Sequence, residues 1–285
     1  MPTEPGSVRV AAQLLTAAAA QGVDRLDAQL LVLHALGRSL HDRAWLLAHD
    51  TDPLPPAACS TFAGLCARRA AGEPLAYLVG EREFHGLALR VDARVLVPRP
   101  DTETLVEWSL QQLAGKAAPS VLDLGTGSGA IALAIQSARP DARVTAVDAS
   151  AEAWAVARAN APQLGLTVWF VDAEALAGAG AGAGYDLIAS NPPYIAAGDP
   201  HLSALRHEPE AALVSGHDGL DDIRRIIQAA PTHLSDGGWL LLEHGHDQAG
   251  AVQMLLAGRG FADVQSRDDL AGIARCSGGM WRTVK

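Results

Sequence analysis

The feature that most constrains the fold is a short apolar run, a turn with three closely spaced glycines and a second apolar segment. Val121 to Leu124 has the length and composition of a buried strand, and Ala130 to Ala138 has those of a helix. The turn between them contains Gly125, Gly127 and Gly129. A strand, a glycine turn and a helix in this order predict a parallel α/β sheet whose backbone closely approaches a nucleotide-like cofactor.

Strands and helices continue to alternate after this turn. We expect further strands at Arg143 to Val147, Thr167 to Val171, Asp186 to Ser190, Gly238 to Glu243, Ala262 to Ser266 and Met280 to Val284. Such alternation predicts a mostly parallel sheet that helices cover on both faces. Residues 98–285 are therefore expected to form one Rossmann-like α/β domain.

The segment before this domain has a different periodicity. Leu26, Leu30 and Leu33 have the spacing of one buried helix face, so residues 1–82 are predicted to form a small helical domain. It is either a bundle without chemistry or a docking module for a macromolecular substrate, and we assign it the docking role. Apolar residues alternate over residues 83–97, which predicts a β-hairpin linker that turns near Asp92-Ala93.

Three aspartates accompany the glycine turn and indicate which cofactor it binds. The third glycine comes one residue earlier than in dinucleotide motifs, and Asp123 precedes the turn, where it would repel a pyrophosphate but could hold the ammonium of a methionine moiety. Asp148, at the end of the next strand, can accept both ribose hydroxyls, and Asp172 can accept from an adenine amino group. Each feature alone could be a turn or a helix cap. Together they predict an S-adenosylmethionine site.

Asn191-Pro192-Pro193-Tyr194 follows a predicted strand and is the second functional motif. Prolines fix φ and lack a donor, so the turn exposes carbonyls, although a structural Pro-Pro turn is the alternative. The Asn191 side-chain oxygen and the Pro192 carbonyl can accept both hydrogens of a planar NH2 group, and Tyr194 can supply a flat face. We expect catalysis by Asn191, Pro192 and Tyr194, with Pro193 in the substrate site, through positioning and electrostatics.

Charge and cysteine usage limit the partners and the compartment. The formal charge is −10 without a basic stripe, which disfavours nucleic acid as a direct partner. Cys59, Cys66 and Cys276 lack metal or disulfide spacing and are expected to be reduced thiols in the cytoplasm. His244-Gly-His246 has no further ligand at metal spacing, so no metal is expected. We also expect no membrane segment and no secretion signal.

The sequence resembles the release-factor glutamine N5-methyltransferases from about residue 72 onward. The matching segments are Gly72-Glu-Pro-Leu-Ala-Tyr-Leu, Glu83-Phe-His-Gly-Leu, Val97-Pro-Arg-Pro-Asp-Thr-Glu, Asp123-Leu-Gly-Thr-Gly-Ser-Gly-Ala-Ile-Ala-Leu, Ser190-Asn-Pro-Pro-Tyr-Ile, Glu208-Pro-Glu-Ala-Ala-Leu, Asp218-Gly-Leu and Leu242-Glu-His-Gly. The Asn-Pro-Pro-Tyr motif is shared with adenine-N6 methyltransferases. The strip from Pro98 to Glu103 and the Glu208-Pro element are more specific.

The resemblance implies a seven-stranded class I methyltransferase domain behind a helical bundle. The family transfers the methyl group of S-adenosyl-L-methionine to the glutamine of the Gly-Gly-Gln motif in class 1 peptide-chain release factors, leaving S-adenosyl-L-homocysteine. Matching positions imply cofactor contacts at Asp148 and Asn191, at the residues Gly125, Thr126, Gly127, Ser128 and Gly129, and at Asp172 and Ala173. The family commonly has Trp where this chain has Ala173, so another apolar residue is needed against the adenine. The Gly178–Gly184 run is interpreted as a flexible insertion.

Two other functions fit parts of the pattern. An adenine-N6 nucleic-acid methyltransferase would use the same Asn-Pro-Pro-Tyr motif, but it would require a basic target-reading segment. A cofactor-binding scaffold would have a degenerate site, whereas Asp148 and Asn191-Pro-Pro-Tyr194 are intact. A dehydrogenase is excluded by the glycine spacing.

Overall fold

The computed structural model describes residues 9–172 and 184–283. The chain forms two compact units, Met1–Gly80 and Glu81–Lys285. The division falls two residues before the end of the predicted helical domain. Ala173 and the Gly/Ala run through residue 183 lie outside the described residues. No helix in the part of the chain that the structure describes is long and apolar enough to cross a bilayer.

Over residues 9–80 the first unit is a bundle of five helices. They are α1 (Ala11–Ala20), α2 (Arg25–Ala35), α3 (Arg43–Ala48), α4 (Pro56–Ala70) and α5 (Leu75–Val79). Asp24 caps α2 by accepting from the backbone N–H of Leu26, and Pro56 occupies the first turn of α4. The prediction that Leu26 lies on the buried face of α2 is wrong, since this residue is 44% exposed. Helix α2 instead buries Ala28, Leu31, Val32 and Leu33.

The second unit begins with a hairpin of β1 (Glu81–Phe84) and β2 (Leu87–Arg90). It turns at His85-Gly86, not at the predicted Asp92-Ala93. Both turn residues have positive φ, 48° and 77°, which suits a two-residue hairpin turn. Asp92 instead accepts from the Arg94 backbone and side chain in a separate turn.

A seven-stranded sheet forms the centre of the second unit. Its strands are β3 (Ser120–Leu124), β4 (Arg143–Asp148), β5 (Trp169–Asp172), β6 (Tyr185–Ser190), β7 (Leu234–Glu243), β8 (Ala262–Asp268) and β9 (Ala274–Met280). The order is β5-β4-β3-β6-β7-β9-β8. The first five are parallel, and β9 is antiparallel to both neighbours. The predicted α/β class and Rossmann-like seven-stranded sheet are confirmed.

Helices cover both faces of this sheet. They are α6 (Glu103–Gln112), α7 (Ala130–Ala138), α8 (Ala151–Gln163), α9 (Asp221–Ala229) and α10 (Ala249–Arg259). One core contains Trp108, Val121 and Leu133, and the other contains Leu122 and Ile223. The odd and even residues of β3 enter opposite cores because side chains alternate along a strand.

The last strand, β9, differs from its predicted position at Met280 to Val284. It lies over Ala274–Met280 and pairs with β7 and β8. The packing of the neighbouring strands requires its glycines at 278 and 279. A Cβ on Gly278 would lie 2.5 Å from the Leu240 carbonyl oxygen, and one on Gly279 would lie 2.9 Å from the Cβ of Phe261. Glycine here allows close approach of neighbouring strands.

Candidate active site

A cavity of about 410 Å³ opens at the carboxyl ends of β3, β4 and β6. Strand order reverses at β3, because the chain adds β4 on one side and β6 on the other, and ligands bind at such switch points. Three segments meet there: the glycine turn, the tip after β6 and the strip before α6. Together with Asp148 at the end of β4, their cavity-lining residues include Gly125, Thr126, Gly127, Ser128, Asn191, Pro192, Pro193, Arg99 and Thr102.

Glycine is needed at the three positions of the turn for different structural reasons. All have positive φ, at 77°, 57° and 87°. A Cβ on Gly125 or Gly127 would meet no protein atom within 4 Å, and both residues line the cavity. Gly129 instead packs inward, where a Cβ would lie 2.9 Å from Leu133 Cδ1 and 3.3 Å from the Ala157 Cβ. Two glycines thus leave backbone open to a ligand, and the third allows helix packing.

Gly129→Ala is expected to lower the free energy of unfolding by about 1–2 kcal/mol, because an L-residue is strained at this φ. Gly250→Ala is the matched control. It lies within α10 with no atom within 4 Å of its added Cβ, and alanine there is expected to be neutral or stabilising. Urea denaturation of both variants measures the difference. Equal stabilities would contradict this account of the turn.

Asp123 is buried beneath the glycine turn. Its Oδ2 accepts from Thr126 Oγ1 at 2.6 Å and from the Ala132 N–H at 3.1 Å. Its Oδ1 is buried and has no hydrogen-bond partner among the described residues. Burial raises the pKa of this carboxyl to about 7, against the lowering effect of both hydrogen bonds. An unpaired acceptor of this kind fits a ligand that brings a donor, such as an ammonium.

Asp148 ends β4 on the cavity wall. Its Oδ2 accepts from the Gly127 N–H and its Oδ1 from the Ser150 N–H, each at 2.8 Å. These bonds fix the carboxylate against the glycine turn, while each oxygen keeps a lone pair for a further donor. Asp172 pairs with Asp148 across β4 and β5, so its backbone reaches the same edge.

Strand β6 delivers the Asn191–Tyr194 tip to the cavity. Ser190 Oγ donates to the Leu124 carbonyl at 2.6 Å, which ties the end of β6 to the end of β3. Asn191 Nδ2 donates to Thr102 Oγ1 at 3.2 Å. The structure therefore brings residues 125–128 and residues 191–193 to one cavity, although they are far apart in the sequence. Asp123 and Tyr194 are not among its lining residues.

Tyr194 lies against a second, smaller cavity of about 110 Å³, which it lines together with Asn191 and Arg99. Its hydroxyl donates to Glu243 Oε1 at 3.4 Å, and its backbone carbonyl accepts from Gln248 Nε2 at 3.0 Å. Burial raises the pKa of the phenol, so Tyr194 remains a neutral donor. The tip is thus held from behind by β7 and the loop that follows it.

No role for Arg99 or Glu208 was predicted from the sequence. In the structure the two side chains form an ion pair. Glu208 is 8% exposed. Its Oε2 accepts from the Val97 N–H at 3.0 Å, and its Oε1 accepts from Arg99 Nη2. This ion pair fixes the strip before α6, so that Arg99 lines both cavities. Both residues lie in segments that match the family resemblance, the strip from Pro98 to Glu103 and the Glu208-Pro element. That match was the sequence signal that could have identified them.

Both ring nitrogens of His244, the first residue of the histidine pair, lie within hydrogen-bond distance of protein oxygens. His244 is fully buried, with Nδ1 2.9 Å from the Gly245 carbonyl oxygen and Nε2 2.8 Å from Ser277 Oγ. Burial lowers its pKa, which favours the neutral ring. Across residues 9–172 and 184–283, no group of three or more His, Cys, Asp or Glu side chains could hold a metal ion.

Glu243 is expected to make the stability of the protein depend on pH. Burial raises its pKa from 4.5 to about 7, so the folded state binds this proton more tightly than the unfolded state. The resulting stabilisation is complete below about pH 4.5 and is lost as the pH rises through about 7. Glu243→Gln should lessen this decline by on the order of 2 kcal/mol. Denaturation midpoints at about pH 5 and pH 8.5 test it, and identical pH dependence would contradict it.

Comparisons with known proteins identify the family. The family model "Methyltransferase small domain" matches residues 102–255, and "PrmC N-terminal domain" matches residues 8–80. The release factor glutamine methyltransferase of Bordetella pertussis is 53% identical over 260 residues, covering 90% of this chain and 95% of that protein. That of Burkholderia pseudomallei is 49% identical, covering 98% and 99%.

A solved structure of the hMettl16 catalytic domain, in complex with MAT2A 3'UTR hairpin 1, has the same fold. Its TM-score is 0.58 at 15% identity, over 78% of this chain and 83% of that one. At this identity the likeness concerns the fold alone. The family follows from the curated relatives, whose identity extends over nearly the whole chain and includes both units. The chain belongs to the release factor glutamine methyltransferase family.

Proposed function

We propose that this protein transfers the methyl group of S-adenosyl-L-methionine to the side-chain amide nitrogen, N5, of the glutamine in the Gly-Gly-Gln motif of class 1 peptide-chain release factors. This modification would affect translation termination. One observation carries the proposal: the acceptor-rich tip at Asn191 and the glycine turn with Asp148 line the same cavity. The names of the relatives support the choice of substrate.

The residues of the larger cavity fit S-adenosylmethionine. Gly125 and Gly127 leave backbone open, and Asp148 offers lone pairs to ribose hydroxyls. Asp123 is not among the cavity-lining residues, but its unpaired Oδ1 lies buried beneath the glycine turn, and we propose it for the ammonium end of the cofactor. Thr126 and Ser128 complete the wall. Asp172 and Ala173 are proposed for the adenine end. When bound, the cofactor supplies an electrophilic methyl on a sulfonium.

The substrate amide nitrogen is a poor nucleophile because its lone pair is delocalised into the carbonyl. Asn191 Oδ1 and the Pro192 carbonyl would accept its two hydrogens, and Tyr194 would lie against the planar group. Two fixed acceptors favour pyramidalisation and direct the lone pair at the methyl. As the N–C bond forms and the S–C bond breaks, one amide proton leaves to solvent, so no strong general base is required.

The smaller cavity supports an approach route for the glutamine side chain. It shares Asn191 and Arg99 with the larger cavity, so two compartments meet at the tip. We propose that the cofactor occupies the larger compartment and that the glutamine side chain reaches Asn191 through the smaller one. Tyr194 lines the glutamine side of the tip, where a flat face suits a primary amide.

The first unit is proposed to dock the release factor. Its five helices are matched by a domain model of their own, and the residues that fit the methyl-transfer chemistry lie in the second unit. A separate binding module suits a protein substrate whose reactive glutamine is one small part of its surface. The proposed substrate also assigns the enzyme to the cytoplasm, where termination occurs.

The test is incubation with labelled S-adenosylmethionine and equal amounts of a release factor and duplex DNA. We expect label in the release factor and none in the DNA, since the chain is acidic and its relatives are named for release factors. A release factor with its Gly-Gly-Gln glutamine replaced by glutamate should stay unlabelled. Label in the DNA alone would support an adenine-N6 activity and overturn the proposed substrate.

A further inference from the structure

The two central residues of the tip cannot anchor it through backbone donors, because Pro192 and Pro193 have no N–H. The tip must therefore be held at its two ends. At one end, the Asn191 side chain donates to a threonine of the strip before α6 at 3.2 Å. At the other end, the Tyr194 carbonyl accepts from Gln248 Nε2 at 3.0 Å. Gln248 is not among the residues that line either cavity, and no step of the proposed chemistry uses it.

The orientation of the Gln248 amide is fixed by three contacts that agree with one another. Its Oε1 accepts from the Gly245 N–H at 2.8 Å. Its Nε2 donates to the Tyr194 carbonyl and, at 3.4 Å, to the Asp218 carbonyl. Turning the amide over would place Oε1 against two carbonyl oxygens and Nε2 against an N–H. Gln248 therefore presents a donor to the end of the tip.

Gly219 shows how closely the chain packs around this contact. It is buried with a φ of 77°, and a Cβ on it would overlap the Tyr194 carbonyl oxygen and lie 2.8 Å from Gln248 Nε2. A side chain here would take the place of the hydrogen bond, so glycine is required for the close approach. The backbone before α9 thus closes over the contact between Gln248 and the tip.

Gln248 also joins the two ends of the segment that follows the tip. This segment begins after Tyr194 and ends at Asp218, and Gln248 donates to the carbonyls of both residues. The same segment supplies four residues that line the smaller cavity, namely Ile195, Leu205, Ala212 and Leu213. Gln248 therefore ties this wall of the smaller cavity to the tip at their common base.

We propose that the hydrogen bond from Gln248 to the Tyr194 carbonyl is a clamp that sets where the Pro192 carbonyl and the Tyr194 ring meet the substrate amide. Two prolines with fixed φ separate Asn191 from Tyr194, so a displacement of the Tyr194 peptide is passed to the Pro192 carbonyl. Gln248 is a positioning residue, since it acts through the tip. The clamp rests on the proposed function, because the position of the tip matters for a reaction in which the tip holds an NH2 group.

Gln248→Met tests the clamp, because it keeps the length of the side chain and removes the donor and the acceptor. We expect kcat for release-factor methylation to fall about tenfold, from the lost hydrogen bond and the displaced acceptors. The Kd for S-adenosylmethionine should stay within about twofold, since neither Gln248 nor Tyr194 is among the residues lining the larger cavity. Single-turnover kinetics and calorimetric titration measure the two quantities.

Gln253→Met is the matched control. It is the same substitution a few residues further along, within α10, where the Gln253 amide donates to Ser266 Oγ at 2.7 Å. Neither Gln253 nor Ser266 is among the residues that line the two cavities. This variant should keep the wild-type kcat and cofactor Kd.

The carbonyl carbon of Tyr194 gives a readout without substrate. Tyr194-Ile195 is the one Tyr-Ile pair in the sequence. Protein labelled at the tyrosine carbonyl carbon and the isoleucine nitrogen therefore gives a single NMR cross-peak for this peptide group. Loss of the hydrogen bond should move the carbon resonance upfield in Gln248→Met and leave it unchanged in Gln253→Met.

The outcomes separate this proposal from the proposed function. Wild-type kcat in Gln248→Met, or an unmoved Tyr194 carbonyl resonance, would overturn the clamp. An equal fall of kcat in Gln253→Met would also overturn it, since the effect would then not depend on the tip. A wild-type enzyme that methylates no release factor would contradict the proposed function, while the carbonyl resonance would still decide whether Gln248 holds the tip.

Discussion

Asn191→Ala is expected to lower kcat for methyl transfer to a release factor by about 10²–10³-fold, the usual effect of removing one oriented group that stabilises a transition state. The substitution removes the Oδ1 acceptor that would bind one hydrogen of the substrate amide. The Kd for S-adenosylmethionine should change little, because Asp148 and the glycine turn remain. Single-turnover kinetics and calorimetric titration with the cofactor measure the two quantities separately.

The control for this variant is Gln253→Ala. Gln253 also donates its side-chain amide to a hydroxyl, Ser266 Oγ at 2.7 Å, but it lies on α10 and is not among the cavity-lining residues. It should retain wild-type kcat. Undiminished turnover by Asn191→Ala would remove the tip from the mechanism. Equal losses in both variants would point to general destabilisation.

The second large effect is expected at Asp148. Asp148→Ala removes the carboxylate that would accept the ribose hydroxyls and that also fixes the Gly127 N–H at 2.8 Å. Hydrogen bonds to charged groups contribute about 1.5–3 kcal/mol each, so the Kd for S-adenosylmethionine should rise about 100-fold. Equilibrium binding by titration calorimetry measures this change directly.

Asp141→Ala is the matched control for Asp148→Ala. Asp141 lies just before β4 at the opposite end of the strand, where it pairs with Arg139 and accepts from the Ala118 N–H. Its removal should leave the cofactor Kd unchanged. A cofactor affinity that is equally insensitive to both substitutions would show that Asp148 has no binding role.

The parts of the site that the sequence predicted are those that depend on local chemistry. Three glycines after a short apolar strand require positive φ and open backbone, and the structure has both at Gly125 and Gly127. An acid at the end of the next strand is carried to the same edge by the parallel sheet. Alternating strands and helices therefore predicted the fold.

Contacts between distant segments could not be read from the sequence. Glu208 and Val97 are separated by 111 positions, and neither residue indicates its partner. Nothing in the sequence links Thr102 to Asn191, which lies 89 positions further along the chain, yet their side chains are hydrogen-bonded. The need for glycine in β9 could not be predicted either, because the crowding that excludes a side chain exists only in the folded sheet.

The turn of the hairpin was predicted at the wrong place because it, too, depends on contacts between distant segments. Asp92-Ala93 and His85-Gly86 are both acceptable turn pairs, and apolar alternation continues through Val97. The ladder instead closes at Phe84 and Leu87, and the chain beyond Arg90 leaves the hairpin. Asn160 pairs with Arg90 there, accepting from its N–H at 2.9 Å and donating to its carbonyl at 3.0 Å. A side chain from α8 thus provides the hydrogen bonds that a longer hairpin would have made.

The most direct test of the central claim is tandem mass spectrometry of a release factor after reaction with the enzyme and S-adenosylmethionine. The account predicts one added methyl group, located on the side chain of the glutamine in the Gly-Gly-Gln motif. It also predicts that the modification is lost with Asn191→Ala and kept with Gln253→Ala. A methyl group on any other residue, or an unmodified release factor with active wild-type enzyme, would contradict it.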